Sequence, residues 1–588
     1  MRTLLFLLAL SLFRLSSFAQ QSPDGKLTVT ASGRMLTVCY QQQPVLEIET
    51  SVRLSQLRKC KPVVIDADYQ MVAGKRLHCT NQANEYRVRE TGSNARNGSL
   101  VLRLYNDGIA LRYESERSGV SPQGQIVYRI PEGTKRWMQK WNDAYEGFFP
   151  LSTTAQDGRW AYPSLVETAS AWLLITEADI ERGQSASSLY SEGERYRVVP
   201  EENTLNHTPW RVVIIGSLAD LVESTLVTDV SEPCKLDDTS WIHPGVVSWV
   251  YWAYNHGSND YNIIKMYVDL AATLRLPYVL IDAEWDEMKD GKTVEDAVQY
   301  ARSKGVKPMI WYNSSVGWID GAPGPKFRLN RPEDREREFA WCEQIGVAGV
   351  KIDFFSGDNQ LNMDYCQDLL ESAARHHLLV NFHGATLPRG WQRTWPNLLS
   401  TEGVYGAEWY NNRPTLTNRA ASHNATLPFT RNVIGPMDYT PCAFSDSQHP
   451  HITSHCHELA LTVLYESGLQ HLADRPESFL AQPQEVQDFL GQLPTVWDDT
   501  RYVSGYPGES AVLARRSGDT WYVAGINGSD EPQTLATDLG FLGSEWTEMQ
   551  LFADDGSDGW SISTIAQWPA QMECQPRGGF VGVVRIKK

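Results

Sequence analysis

At 588 residues the chain is longer than one hydrophobic core can serve, and its length alone suggests about three or four domains. A formal net charge of −18 would repel nucleic acid and anionic membranes at long range, which excludes both as main partners. The 42% apolar content suffices for ordinary packing, and the 20 Trp, 25 Tyr and 17 Phe offer flat faces that suit either sheet cores or the C–H surfaces of sugars.

Residues 1–19 read as a secretory signal peptide, with basic Arg2, an apolar run over 4–13 and the small residue Ala19 at the cut. That run is too short to span a bilayer and no later segment is long enough, so no membrane insertion is expected. The mature protein is expected to be exported, into a bacterial periplasm. Cys39, Cys60, Cys79, Cys234, Cys342, Cys366, Cys442, Cys456 and Cys574 form no CxxC pair and no zinc spacing. Their odd number leaves at least one thiol unpaired, with a bridge open among Cys39, Cys60 and Cys79.

From 20 to 237 the pattern is strand after strand, over 26–31, 35–40, 45–54, 99–105, 109–114 and 171–177, punctuated by Ser-Gly, Asn-Gly and Asp-Gly turns. This predicts an N-terminal β-sandwich. From 238 to 502 strand-like runs alternate with helical ones. Strands are expected at 246–254, 278–285, 307–313, 349–355, 378–383, 398–403, 429–439 and 469–473, and helices at 260–274, 294–304, 332–345, 363–376 and 453–465. Eight strands separated mainly by helices predict a central (β/α)8 TIM barrel. Residues 503–588 return to strands and predict a C-terminal β-domain.

Such barrels place their reacting groups at the carboxyl ends of the strands. The residues there are Tyr251 and Trp252, Asp282 and Glu284, Trp311 and Asn313, Lys351 and Asp353, His383, Glu402 with nearby Glu408, Asp438 and Asp474. Carboxylates, aromatics, one Lys and one His form a typical sugar-cleaving inventory, since acetal cleavage needs one carboxyl group to protonate the leaving oxygen and a second to attack the anomeric carbon or activate water. Asp353 follows an apolar run and precedes two Phe, so it projects from a dry wall or caps the next loop. The tract His449, His451, His455, Cys456, His457 fits no common zinc pattern and reads as a loop leading into a helix.

Several motifs together resemble glycoside hydrolase family 97: Val350-Lys351-Ile352-Asp353-Phe354, Asn381-Phe382-His383-Gly384, Arg393-Thr394-Trp395-Pro396-Asn397, Thr401-Glu402-Gly403-Val404 with Glu408, and Gly435-Pro436-Met437-Asp438-Tyr439-Thr440-Pro441. The resemblance covers essentially the whole mature chain and implies a sandwich, barrel and C-terminal β-domain in a calcium-requiring α-glycosidase acting on oligosaccharides or other glycosides. Inverting members carry a Glu directly after the strand-five His and lack the strand-four Asp; this chain has Gly384, Asp353 and, at strand three, Asn313. The resemblance therefore implies a retaining α-galactosidase, with Asp353 as nucleophile and Glu408 as acid and base, their carboxyl groups about 5 to 5.5 Å apart. It implies calcium held by Glu402, Glu408 and Glu177, the last reaching in from the sandwich. Substrate contacts are expected from Lys351, His383, Asp282, Glu284, Trp311 and Asn313. Other readings are a β-L-arabinopyranosidase, an inverting α-glucosidase, and a sugar-binding protein on a catalytically dead barrel.

Overall fold

The computed structural model describes residues 19–586, apart from 90–97, 118–119, 123, 201, 290, 543–545 and 557–558. The expected signal peptide lies outside the described residues except for Ala19.

Alternating apolar residues produce two large antiparallel sheets in the first third of the chain, one of eight strands and one of nine. In Met35–Tyr40, for example, Leu36 and Val38 turn inward while their neighbours stay half exposed. One buried apolar cluster continues from these sheets into the barrel, so the two are packed together rather than merely tethered.

The barrel strands are β1 (Gly245–Trp249), β2 (Tyr278–Ile281), β3 (Lys307–Asn313), β4 (Gly349–Asp353), β5 (Leu379–Phe382), β6 (Leu398–Thr401) and β7 (Leu469–Leu472). They pair in parallel in the order β6-β5-β4-β3-β2-β1-β7. Nearly every residue in them is buried, as expected of strands covered on one side by helices and on the other by the barrel interior. The covering helices begin at recognisable caps. Asp260 accepts the Asn262 N–H at 2.8 Å ahead of Tyr261–Leu274, and Asn359 accepts the Asn362 N–H at 3.0 Å ahead of Gln360–Arg375.

The strand expected over 429–439 does not form. Two 3-10 turns, Leu427–Phe429 and Arg431–Ile434, occupy its first part, and Gly435 then takes φ +146°. Pro428 and Pro436 cannot donate to a ladder. Arg431 substitutes for one: its buried guanidinium donates to the carbonyls of Thr401, Glu402, Gly403, Gly435 and Pro436 at 2.8–3.1 Å. The barrel closes across this gap through Asp438 N–H to Thr401 O at 3.1 Å and Gly468 N–H to Leu399 O at 3.0 Å.

A six-stranded antiparallel sheet and a two-stranded ribbon follow the barrel. The six-stranded sheet packs on helix His455–Leu464, whose last carbonyl, Leu464 O, accepts from Arg515 at 2.9 Å. All nine cysteines are free thiols, so the bridge left open among Cys39, Cys60 and Cys79 does not form. Among the described residues no helix is long and apolar enough to cross a membrane. Of the histidine tract, His451 and His455 donate to or face backbone carbonyls of Ala443 and Phe444, and Ser454 caps the helix that His455 opens.

Candidate active site

A cavity of about 860 Å³ opens at the carboxyl ends of the barrel strands. Its wall includes Asp282, Glu284, Trp311, Lys351, Asp353, Glu402 and Glu408, seven residues that the sequence placed at the mouth. Asp353 ends β4 and is held on both oxygens: the indole N–H of Trp311 reaches Oδ2 at 3.1 Å, and the Phe354 N–H reaches Oδ1 at 2.8 Å. Lys351, two residues back on the same face of the strand, points to the same place. Its Nζ lies 3.3 Å from Asp282 Oδ2 and 4.0 Å from Asp353 Oδ2. Burial works against the Lys351 charge, but Asp282 and Asp353 outweigh it and raise its pKa, so it remains a cation. Burial likewise raises the pKa of Asp353, and the Lys351 and His383 cations pull against that rise.

Gly384 decides what else can stand here. Its φ is +49°, and a Cβ built on it would fall 2.8 Å from Asp353 Oδ1 and 2.9 Å from the Phe354 nitrogen. A side chain at 384 and an aspartate at 353 in this pose are therefore mutually exclusive.

Glu408 also lines the wall and is buried, with Trp252 Nε1 donating to its Oε2 at 3.0 Å and the Tyr251 hydroxyl bonding its backbone carbonyl. Burial and the neighbouring Glu402 push its pKa up to about 8. Glu402 accepts the Gly384 N–H at 2.7 Å and lies 3.4 Å from His383 Nδ1. His383, Glu402 and Glu408 each offer a ligand atom within 4.8 Å of the others. A third carboxylate comes from the sandwich: Glu146 lines the cavity, accepts Trp409 Nε1 at 3.1 Å, and is pushed up to about 7 by burial and by Glu408. Buried carboxylates crowded in this way, with no cation among the described residues pairing each of them, form a donor set suited to a hard cation.

Three residues differ from expectation. Glu177 does not reach this cluster; Arg389 Nε at 2.7 Å, the Ser187 N–H at 2.9 Å and Arg211 take up its buried carboxylate. That network fastens sandwich to barrel, and Arg389 also donates to the Tyr145 hydroxyl at 2.8 Å, next to Glu146. Asn313 is fully buried and donates to the carbonyls of Trp318 and Pro323 at 3.3 Å each, so it orders a loop instead of meeting substrate. His383 stands behind the wall, between Asp438 Oδ2 at 2.8 Å and Glu402. Although burial and Lys351 oppose a second proton, those two carboxylates raise its pKa well above the usual value. Asp438 is enclosed by His383, His471 and Asn381, and Asp474 accepts the N–H groups of Phe444 and Ser445, so both serve order around the site. Glu146 is the site residue that sequence reasoning missed. The aperiodic aromatic-acidic stretch Trp141-Asn142-Asp143-Ala144-Tyr145-Glu146 was the available signal.

Comparison with known proteins identifies the family. The chain matches the Glycosyl-hydrolase 97 N-terminal region over 21–233, Glycoside hydrolase 97 over 241–404, and the Glycosyl-hydrolase 97 C-terminal, oligomerisation region over 496–585. A Streptomyces bingchenggensis protein named "Probable retaining alpha-galactosidase" is 37% identical over 538 residues, covering 87% of this chain and 79% of that protein. The chain belongs to glycoside hydrolase family 97. It is therefore a glycosidase, and the dead-barrel reading falls away. The "Retaining alpha-galactosidase" of Bacteroides thetaiotaomicron is 30% identical over 59% of this chain and 54% of its own length. Among solved structures, a beta-arabinopyranosidase superposes with TM-score 0.88 at 28% identity, covering 96% of this chain and all of that one. A family 97 enzyme from Pseudoalteromonas sp. strain K8, at TM-score 0.83 and 21% identity, shares the fold.

Proposed function

We propose that the protein is an exported, calcium-dependent, retaining exo-glycosidase that releases terminal α-galactosyl residues. The observation that carries the mechanism is Asp353 at the end of β4 with Gly384 pressed against it, where a side chain would displace the aspartate. Relatives named as retaining α-galactosidases support the sugar and the stereochemistry. Export, through a signal peptide cleaved after Ala19 into the periplasm, is part of the same reading.

Asp353, kept ionised and aimed by Lys351 and Trp311, attacks the anomeric carbon from the face opposite the leaving group. The C–O bond to the aglycone breaks as Glu408 delivers its proton to the departing oxygen, leaving a β-galactosyl ester on Asp353. Glu408, now a carboxylate, takes a proton from water, whose oxygen attacks the same carbon and frees Asp353. Two inversions give α-galactose. Lys351, Asp282 and Glu284 stand where ring hydroxyls would lie.

Glu402 and Glu408 would hold calcium, with Glu146 in the role expected of Glu177. One bound divalent ion supplies positive charge that offsets the repulsion among these carboxylates. Chelator-treated protein should lose most of its activity and melt at lower temperature. Calcium should restore both, the melting temperature rising as its concentration increases. Magnesium, which demands a small octahedral shell, should restore little. An unchanged melting curve with and without calcium would contradict the site.

The arabinopyranosidase neighbour favours a second reading, since β-L-arabinopyranose has the ring stereochemistry of α-galactose without the exocyclic carbon. Initial rates on p-nitrophenyl α-D-galactopyranoside, β-L-arabinopyranoside and α-D-glucopyranoside separate these. We expect kcat/KM to be highest for the galactoside by at least about tenfold, corresponding to roughly 1.4 kcal/mol of transition-state discrimination. Preference for the arabinopyranoside would reassign the sugar, and preference for the glucoside would overturn the assignment.

A further inference from the structure

Strands Lys135–Trp137 and Leu151–Ser152 pair antiparallel at one end of the nine-stranded sheet, with Trp137 opposite Leu151. The connection between them, 138–150, is far longer than the roughly two to five residues of an ordinary hairpin loop, and a structured connection of that length is commonly functional. It leaves the sandwich and enters the barrel mouth, where Asp143, Ala144 and Glu146 line the cavity.

Two anchors hold this arm, one on either side of Glu146. On one side the buried Tyr145 places its hydroxyl between Asp358 and Arg389. The hydroxyl bonds Asp358 Oδ2 and receives an N–H from Arg389 Nη2 at 2.8 Å, while Trp141 Nε1 donates to the same Asp358 oxygen at 3.2 Å. Arg389 Nη2 and the Thr386 hydroxyl donate to the other oxygen of Asp358, at 3.2 and 2.8 Å. Asp358 lies on the loop after β4, and Thr386 and Arg389 lie on the loop after β5, so one tyrosine of the sandwich is tied to the loops that follow Asp353 and Gly384. On the other side the Phe148 ring meets Tyr405 at 5.3 Å and His423 at 5.0 Å. Between the anchors Asn142 grips the Glu146 backbone by both groups, accepting its N–H at 3.1 Å and donating to its carbonyl at 3.2 Å.

Tyr145 holds φ +60°. A bulky residue rarely takes that conformation, which persists only where the surroundings over-determine it. The two charged partners of the hydroxyl do so here, since withdrawing Tyr145 would leave the buried Asp358 and Arg389 each short of a hydrogen bond. A tether between the domains is already supplied by Glu177, held between Arg211 and Arg389. What the Tyr145 contact adds is a fixed place for the residue that follows it.

We propose that Tyr145, Asp358 and Arg389 form a latch that seats the 138–150 arm in the barrel mouth, with Tyr145 a positioning residue for Glu146. Closed, the latch holds the Glu146 carboxylate against Trp409 Nε1 at 3.1 Å. Open, it lets the arm relax to an ordinary φ and carry that carboxylate away. The proposal rests on the calcium reading above only for what Glu146 does once seated.

Hydrogen exchange of the full-length protein without added metal reads the latch directly. In Tyr145→Phe the amides of 138–150 should exchange about tenfold faster, the scale of one lost hydrogen bond to a charged group. Strands Trp172–Ala178 and Trp210–Gly216 of the same sheet should keep their rates. Unchanged rates in the arm, or faster exchange spread evenly over the sheet, would overturn the latch. Asp358→Asn opens it from the barrel side and must give the same local change, which covers a Tyr145→Phe protein that fails to fold. Calorimetric titration with calcium then tests the link to Glu146. Tyr145→Phe should weaken binding about tenfold in the parent but less than about twofold when Glu146→Gln is already present, because both act through one group. The same loss in both backgrounds, or no loss in either, would remove Tyr145 as a positioning residue. A parent that takes up no calcium would refute the calcium reading instead, and the exchange measurement then decides the latch by itself.

Discussion

Asp353→Ala should lose on the order of 10⁴-fold in kcat on p-nitrophenyl α-D-galactopyranoside, the scale on which a covalent nucleophile is missed. The loss should be chemical rather than structural. Asp353 is hydrogen-bonded by Trp311 and one local backbone N–H with Lys351 4.0 Å away, and Lys351 keeps its nearer partner Asp282 at 3.3 Å when that carboxylate is removed. Azide supplies the distinguishing readout. With the carboxylate gone, the anion can enter from the same face and displace the aglycone directly, with one inversion, so added azide should restore turnover and yield β-galactosyl azide. Full activity in Asp353→Ala, or rescue giving the α-azide, would remove Asp353 from the mechanism.

Glu408→Gln should show the complementary pattern. Proton delivery to a sugar oxygen is lost, and general acid catalysis of this kind is worth roughly 10² to 10⁴-fold. The loss should shrink for α-galactosyl fluoride, whose leaving group needs little protonation. The second step still lacks its base, so the galactosyl ester on Asp353 should accumulate and be visible by mass spectrometry of the intact protein. Azide should now attack that ester from the other face and give α-galactosyl azide. Opposite azide anomers from the two variants would assign nucleophile and acid separately; the same anomer from both would contradict the division of roles. A substitution at Glu408 also touches the proposed cation cluster, so both measurements belong at saturating calcium.

Much of this arrangement was legible because it depends on local pattern. Apolar runs of four to seven residues broken by amphipathic stretches placed β2 through β6 and five covering helices close to where they lie, and strand ends then named Asp282, Trp311, Lys351, Asp353, Glu402 and Glu408 on the cavity wall. What local pattern could not reveal was long-range substitution. The run over 429–439 looks like a strand, yet Arg431 satisfies five carbonyls from its side chain and makes a ladder there unnecessary. The same limit applies to Glu177 and Glu146, both acids of the sandwich region. Which one reaches the barrel is decided by domain docking, and Arg211 and Arg389 claim Glu177 for that docking. Asn313 and His383 sit at strand ends as active-site residues do, but their neighbours in space, the 318–323 loop and the Glu402–Asp438 pair, turn them to supporting work.

A covalent bond between Asp353 and the sugar is tested most directly by the anomer released first. Proton NMR of the calcium-loaded protein acting on p-nitrophenyl α-D-galactopyranoside, recorded before mutarotation, should show α-galactose appearing first and the β anomer growing in only as the sugar equilibrates. β-Galactose appearing first would mean a single displacement by water, with Asp353 no longer the nucleophile.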